Sequence, residues 1–334
     1  NTLFAAAGVP AEVSRDVSES LVEANLKGHD SHGIAQVPGY IAKVLKGELD
    51  PAMEPVILRE TPTTALVDGK WGFGQITATF ATDVLIAKTL EAHVAAVGIR
   101  NCNHIGRLGR YAEHAAEAGV LAMVTLCGGG LGTSTTPYGG MAKTLGTNPF
   151  AFGVPAGEQP TMVVDFATTM VAGGKVAQAR DRGESIPVGW IQTKDGLPTT
   201  DPNEMSRGAM LLPMAAHKGS GLSMVAEALG GALTGATRFQ AGESSRNCVF
   251  MWGIRIDSFQ DADEYRLLED RAIDKIRRTP PAPGFEKVLV PGDPERMTQA
   301  AREQAGVPIP DGTYKSLREM AQRLGVLEAI PSLK

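Results

Sequence analysis

Two histidines stand where proton transfer could be carried out. His32 lies in Asp30-Ser31-His32-Gly33, between two stretches whose apolar residues recur at helical spacing. His104 lies in Asn103-His104-Ile105-Gly106-Arg107-Leu108-Gly109, a polar turn that follows a strand-like run. Imidazole titrates near neutrality, so a histidine presented at such a junction can serve as acid or base at physiological pH. Asp30 and Ser31 are good N-cap residues, which predicts that His32 begins the second helix, where backbone N–H groups and the dipole disfavour the imidazolium. A plain hydrogen-bonding role explains a lone histidine between helices as well, and satisfying loose backbone groups explains the turn around His104. Arg107 and Arg110, one turn beyond His104, would with it form a receptor for a small carboxylate.

Two further steps could hold an anion. Ala167-Thr168-Thr169 follows the apolar run 162–166 and is expected to cap a helix over 170–180, offering N–H and hydroxyl groups to a phosphate or an amide; capping alone explains the threonines equally well. His217-Lys218-Gly219-Ser220-Gly221 opens an apolar helix over 222–233, and Lys218 has the chemistry of a phosphate-binding lysine without the spacing of a P-loop. Gly128-Gly129-Gly130 follows a buried strand over 120–126, yet G-x-G-x-x-G occurs nowhere in the chain. A nucleotide cofactor, if one is bound, is therefore not held by an ordinary Rossmann domain.

The elements that must position these groups are legible from periodicity. Val13, Val17, Leu21, Val22 and Ala24 predict a helix over 11–27 that stops at Gly28, and Ile34, Val37, Ile41, Val44 and Leu45 predict the next. A turn-rich connection over 46–55, a strand over 65–68, a long amphipathic helix over 75–97 and a strand over 97–100 follow. A helix over 106–118 closes at Gly119, residues 146–150 form a rigid turn, and 248–257 alternates as a strand. The helix over 260–278 has acids early and bases late, as the macrodipole prefers. Pro280, Pro281, Pro283 and Gly284 mark a crossing between domains, before two short helices over 294–305 and 313–324.

At 334 residues and 43% hydrophobic content the chain can bury a sizeable core, and its length suggests two domains. A net charge of −5 without a basic run argues against nucleic acid or an anionic membrane surface as the main partner. Cys102, Cys127 and Cys248 are odd in number and lack C-x-x-C, which points to a reducing compartment without a disulfide framework or zinc-thiolate site, so no metal is expected. No apolar run approaches the roughly 18 residues that span a bilayer, and a cytoplasmic location is the default expectation. The chain opens at Asn1 directly before Leu3 and Phe4, and a few residues are expected to precede it.

DSHG at 30–33, NHIGRLG at 103–109, GTNPF at 146–150, VDFATT at 164–169, GLPTTDP at 196–202, HKGSGL at 217–222, PAPGF at 281–285 and PGD at 291–293 occur in an order that resembles the malate/L-lactate dehydrogenase family lacking a Rossmann fold. The resemblance covers nearly the whole chain. It implies an α/β (α+β) protein in which residues 1–120 with 285–334 form a helical substrate and dimerisation domain, and 121–284 an inserted NAD(P)-binding domain with a largely antiparallel sheet. It also implies a homodimer and reversible hydride transfer between NAD or NADP and a 2-oxo or 2-imino acid. By the same resemblance His32 and His104 are the catalytic candidates, and the expected helix-start setting of His32 makes it the preferred one. Ser31, Gln36, Arg107 and Asn148 are expected to contact substrate. Ala167, Thr168 and Thr169, the pair His217 and Lys218, and the loop Gly292, Asp293 and Pro294 are expected to contact the cofactor.

Two departures matter. Many family members carry an arginine four residues after the motif histidine to hold the substrate carboxylate, and here that residue is Gln36. Arg107 is expected to take over, in a pocket that accepts larger 2-hydroxy acids than malate or lactate. A cofactor-contacting serine of some relatives aligns near Gly128, which leaves NAD and NADP both open. A reductase of cyclic 2-imino acids and a non-catalytic binding protein on the same fold remain as alternatives.

Overall fold

The computed structural model describes residues 1–128, 134–235 and 247–333. Gly129 and Gly130 of the glycine cluster lie outside the described residues. The chain opens with α1 (Thr2–Ala6) and α2 (Ala11–Leu26). Helix α2 buries Val17, Leu21 and Ala24 and gives way at Lys27 to Gly28, whose φ of +87° is the left-handed geometry expected there.

The next helix starts later than its apolar stripe predicts. Residues 30–32 and 34–36 form two single 3-10 turns, and the α-helix proper, α3, is Val37–Leu45. Pro38 is the reason: without an N–H it cannot extend the ladder toward the N-terminus, so it sits in the first turn. His32 is therefore not at the start of an α-helix. Asp30 is not its cap either, because that carboxylate is taken by Asn25 and Arg302.

Strands β1 (Val56–Glu60) and β2 (Thr64–Asp68) pair antiparallel. β1 gives no sequence signal because it is an edge strand with four of its five residues exposed. Helix α4 (Gly74–Ala92) ends at His93, which holds φ +72°, and β3 (Val94–Cys102) begins at once. The last residues of the helix predicted through Val97 thus belong to a strand. β3 is paired on both sides, and these ladders override the helical propensity of its alanines. Helix α5 (Gly109–Glu117) also starts late, since Gly106 at φ +77° cannot be helical.

Strands β4 (Val120–Gly128), β5 (Phe150–Val154) and β6 (Met162–Phe166) precede α6 (Gly173–Arg182). The short β7 (Ile191–Gln192) and β8 (Met210–Leu211) form a second sheet. Helix α7 (His217–Ala226) runs into a π turn over 227–232; β9 (Asn247–Arg255), α8 (Ala262–Arg277), α9 (Asp293–Ala305) and α10 (Asp311–Arg323) complete the order.

The main sheet has seven strands among the described residues, in the order β1-β2-β3-β9-β4-β5-β6, and is antiparallel except at β2–β3. It runs continuously past residue 120, so strands from both expected domains share it. Helices α4 and α5 cover the sheet through Ala81, Leu85, Tyr111 and Ala112, which pack on Val97, Ile99 and Val249. A second core joins the two chain ends: Phe4, Leu21, Tyr40, Ile41 and Phe73 pack with Leu317 and Met320 of α10. No helix among the described residues is long and apolar enough to cross a membrane.

Candidate active site

A cavity of about 680 Å³ opens where the turn after α2, the loop after β3, the end of β6 and the starts of α6 and α9 converge. His32, His104, Arg107 and Asp165 line one part of it, and Leu126, Pro149, Phe166, Ala167 and Ala172 supply an apolar wall.

His32 is held by a frame that needs a glycine beside it. A Cβ on Gly33 would lie 2.1 Å from Asn25 Oδ1, the atom that accepts the backbone N–H of Ile34 at 2.8 Å. Asn25 Nδ2 donates to Asp30 at 2.7 Å, and Arg302 clamps the same carboxylate through both Nη atoms at 2.6 and 3.0 Å. Burial raises the Asp30 pKa, but the Arg302 and Asn25 hydrogen bonds outweigh it and hold the carboxyl below its usual range. On this base Ser31 Oγ sits 2.9 Å from His32 Nδ1.

His104 is anchored from a different part of the chain. The turn before α4 fits beneath its loop: a Cβ on Gly74 would come within 2.3 Å of the His104 carbonyl, and Asn103 Nδ2 donates to the carbonyls of Trp71 and Gly72 at 2.8 and 3.0 Å. His104 Nδ1 lies 2.6 Å from Tyr40 Oη, which accepts a hydrogen bond from Gln75 Nε2 at 2.9 Å. The two imidazoles stack with centroids 5.4 Å apart and planes 27° from parallel.

Their environments separate the two rings. Burial lowers the His104 pKa to about 3, helped by the charges of His32 and Lys43, so this ring stays neutral at physiological pH. Burial also lowers His32, but the Asp165 carboxylate opposes it, while His29 and Arg107 add to it. His32 is thus the ring better able to carry a proton. The depression comes from desolvation, not from the helix dipole that the sequence suggested.

Arg107 is 3% exposed, and its Nη2 donates to Glu23 at 2.8 Å and Glu113 at 2.6 Å. Its Nε has no hydrogen-bond partner among the described residues. Arg110 pairs with Glu23 and lines a separate hollow of about 290 Å³, so the two arginines do not converge on His104.

The other expected contacts divide. Ser31, Ala167 and Pro294 line the cavity. Gln36 does not; its Nε2 turns back to the Ser31 carbonyl at 2.7 Å. Nor does Asn148, whose amide nitrogen is engaged by Ser223 and Glu227 from the α7 side. The Thr168 and Thr169 hydroxyls donate to the carbonyls of Thr147 and Val171, and α6 begins only at Gly173, so neither caps it. Gly219 packs so closely that a Cβ would be 2.7 Å from the Thr168 carbonyl, placing the start of α7 against this step. His217 and Lys218 are exposed there and do not line the cavity. Gly292 does not line it either, and the Asp293 carboxylate turns to Arg277 and Arg296. Burial works against that carboxyl, yet the Arg277, Val290 N–H and Arg296 hydrogen bonds hold it at about 2.

Sequence reasoning passed over Asp165, Lys175, Tyr40 and Gln75. Asp165 lines the cavity and accepts the Gly109 N–H at 2.7 Å, and Lys175 lines it from α6. The signal for Asp165 was its place in VDFATT, and for Gln75 an amide directly after the closely spaced Gly69, Gly72 and Gly74.

A family model described as malate/L-lactate dehydrogenase matches residues 1–318. The chain is similar to a malate dehydrogenase of Pyrococcus abyssi, 33% identical over 331 residues that cover 96% of this chain and 90% of that protein. It is also similar to a Δ1-pyrroline-2-carboxylate reductase of Ancylobacter novellus, 39% identical over 230 residues covering 69% and 66%. The solved structure of the sulfolactate dehydrogenase of Methanocaldococcus jannaschii superposes with a TM-score of 0.87 at 31% identity, covering 98% of this chain and 95% of the other.

Proposed function

The chain belongs to the malate/L-lactate dehydrogenase family, and on that footing we propose that it is an NAD(P)-dependent oxidoreductase that interconverts 2-oxo and 2-hydroxy carboxylic acids. The observation that carries this reading is the stacked pair His32 and His104, differently tuned, in one cavity with Arg107 and an apolar wall. That donor set fits the group: a flat nicotinamide ring suits the wall of Leu126, Pro149, Phe166 and Ala167, and a small polar acid suits the histidine end. When bound, the nicotinamide supplies the hydride chemistry.

The chain's own residues do the rest. His32, oriented by Ser31 and backed by Asp165, delivers a proton to the substrate oxygen in reduction and removes it in oxidation. His104, neutral throughout, donates a hydrogen bond to that oxygen. Arg107, which lines the cavity, meets the carboxylate with its positive charge while Glu23 and Glu113 hold its Nη2. Ala167 and Pro294 border the cofactor, with the Thr168 and Thr169 step packed behind them and His217 and Lys218 on its phosphate side. The active unit is read as a homodimer in the cytoplasm, with NAD and NADP as candidate cofactors.

The test is oxidation of NADH and NADPH followed at the nicotinamide absorbance, across 2-oxo acids from pyruvate to phenylpyruvate. Turnover is expected with at least one pair, with the bulkier acids favoured, since Gln36 leaves no second arginine at the site. No turnover on any pair contradicts the reading. A second reading, reduction of a cyclic 2-imino acid, is favoured by the likeness to the pyrroline-carboxylate reductase and by Asp165, whose carboxylate suits a protonated imine. Turnover that requires added methylamine would select it.

A further inference from the structure

The contacts behind His104 are directional. Tyr40 and Gln75 are 4% and 2% exposed, so their polar atoms have few partners besides each other and the imidazole. A phenol has a single hydrogen. If its oxygen receives the Gln75 Nε2–H at 2.9 Å, its own O–H is left for His104 Nδ1 at 2.6 Å. Nδ1 then carries no hydrogen, and the neutral ring must hold its proton on Nε2.

The opposite direction is the costlier one. Gln75 Oε1 is buried with no partner among the described residues. Turning the amide over would satisfy that oxygen from Tyr40, but would place an NH2 group where the bare oxygen now lies. As placed, the Gln75 Nε2–H has its acceptor in Tyr40 Oη, and a buried N–H without an acceptor is a rarer defect than a bare oxygen.

We infer that Tyr40, oriented by Gln75, is a positioning residue that fixes His104 as the tautomer protonated on Nε2, a hydrogen-bond donor to the substrate oxygen. This rests on the reading above that the oxygen of a 2-oxo acid occupies the cavity at His104. Tyr40→Phe removes the hydroxyl while keeping the ring, which packs edge-on against Phe73 with centroids 6.1 Å apart.

The experiment is nitrogen NMR on 15N-histidine-labelled protein, with the His104 signals identified by their loss in His104→Gln, paired with steady-state rates on the best 2-oxo acid. In wild type the proton should be on Nε2, with Nδ1 bare and hydrogen-bonded. Tyr40→Phe should move the Nδ1 signal toward that of an unbonded nitrogen. It should also lower kcat about 10- to 100-fold with KM changed less than about threefold. Gln75→Met should act in the same direction and more weakly. A wild-type proton on Nδ1, or a Tyr40→Phe variant with kcat within about threefold of wild type, overturns the inference. The NMR arm needs no turnover, so an inactive wild type would count against the proposed function while the tautomer is still decided.

Discussion

The histidine end of the cavity and the start of α7 are both expected to meet ligand, and they are built in opposite ways. His32 and His104 are half-buried, and each is fixed by a named partner, Ser31 or Tyr40, on a frame of buried polar groups. His217 and Lys218 are exposed, at a helix start reached through Ala215 and Ala216 at φ +45° and +57°. Left-handed backbone at two successive residues with side chains is strained, the kind of geometry found where a chain is held ready for a ligand. The contrast teaches where precision is needed. Proton transfer requires groups in place before substrate arrives, whereas a contact to a charged, flexible tail can form on arrival. Substitutions of the two histidines should therefore act on kcat, and those at the start of α7 on KM.

The sharpest way to break that division is His32→Ala. Loss of the proposed acid–base group should lower kcat by about 10²- to 10⁴-fold with little change in KM. Arg107→Lys comes next. It keeps a positive charge for Glu23 and Glu113 but loses the planar guanidinium fork, so KM for the 2-oxo acid should rise about 10- to 100-fold while the thermal midpoint stays near wild type. A rise below about threefold would show that the carboxylate is held elsewhere. The smallest effect belongs to the exposed region: Lys218→Ala should raise KM for the cofactor about threefold to tenfold and leave kcat within about twofold, as steady-state titration of the cofactor would show. A kcat loss comparable to that of His32→Ala would erase the distinction.

Much of this was legible in the sequence where the signal is local. Gly28 and Gly119 ended their helices as their type predicts, and both histidines were visible at junctions between elements. What could not be read were partners distant along the chain. Tyr40 meets His104 across 64 residues and Gln75 across 35, and no periodicity encodes such pairs. Asn148 and Asp293 illustrate the reverse: each sits in a conspicuous motif, yet tertiary packing turns the first to Ser223 of α7 and the second to two arginines. The late start of α3 was readable after all, from Pro38, but the apolar stripe before it was the louder signal.

The measurement that tests the account most directly is the pH dependence of kcat/KM for 2-oxo acid reduction, in wild type and in His32→Ala. Reduction needs His32 protonated, and burial places its pKa below the usual value of 6.5. The wild-type rate should therefore fall as pH rises through that lowered pKa, the reverse oxidation should rise across the same interval, and His104, at about 3, should contribute nothing within it. The limb should vanish in His32→Ala along with most of the rate. A limb of the same midpoint persisting in His32→Ala would show that another group moves the proton.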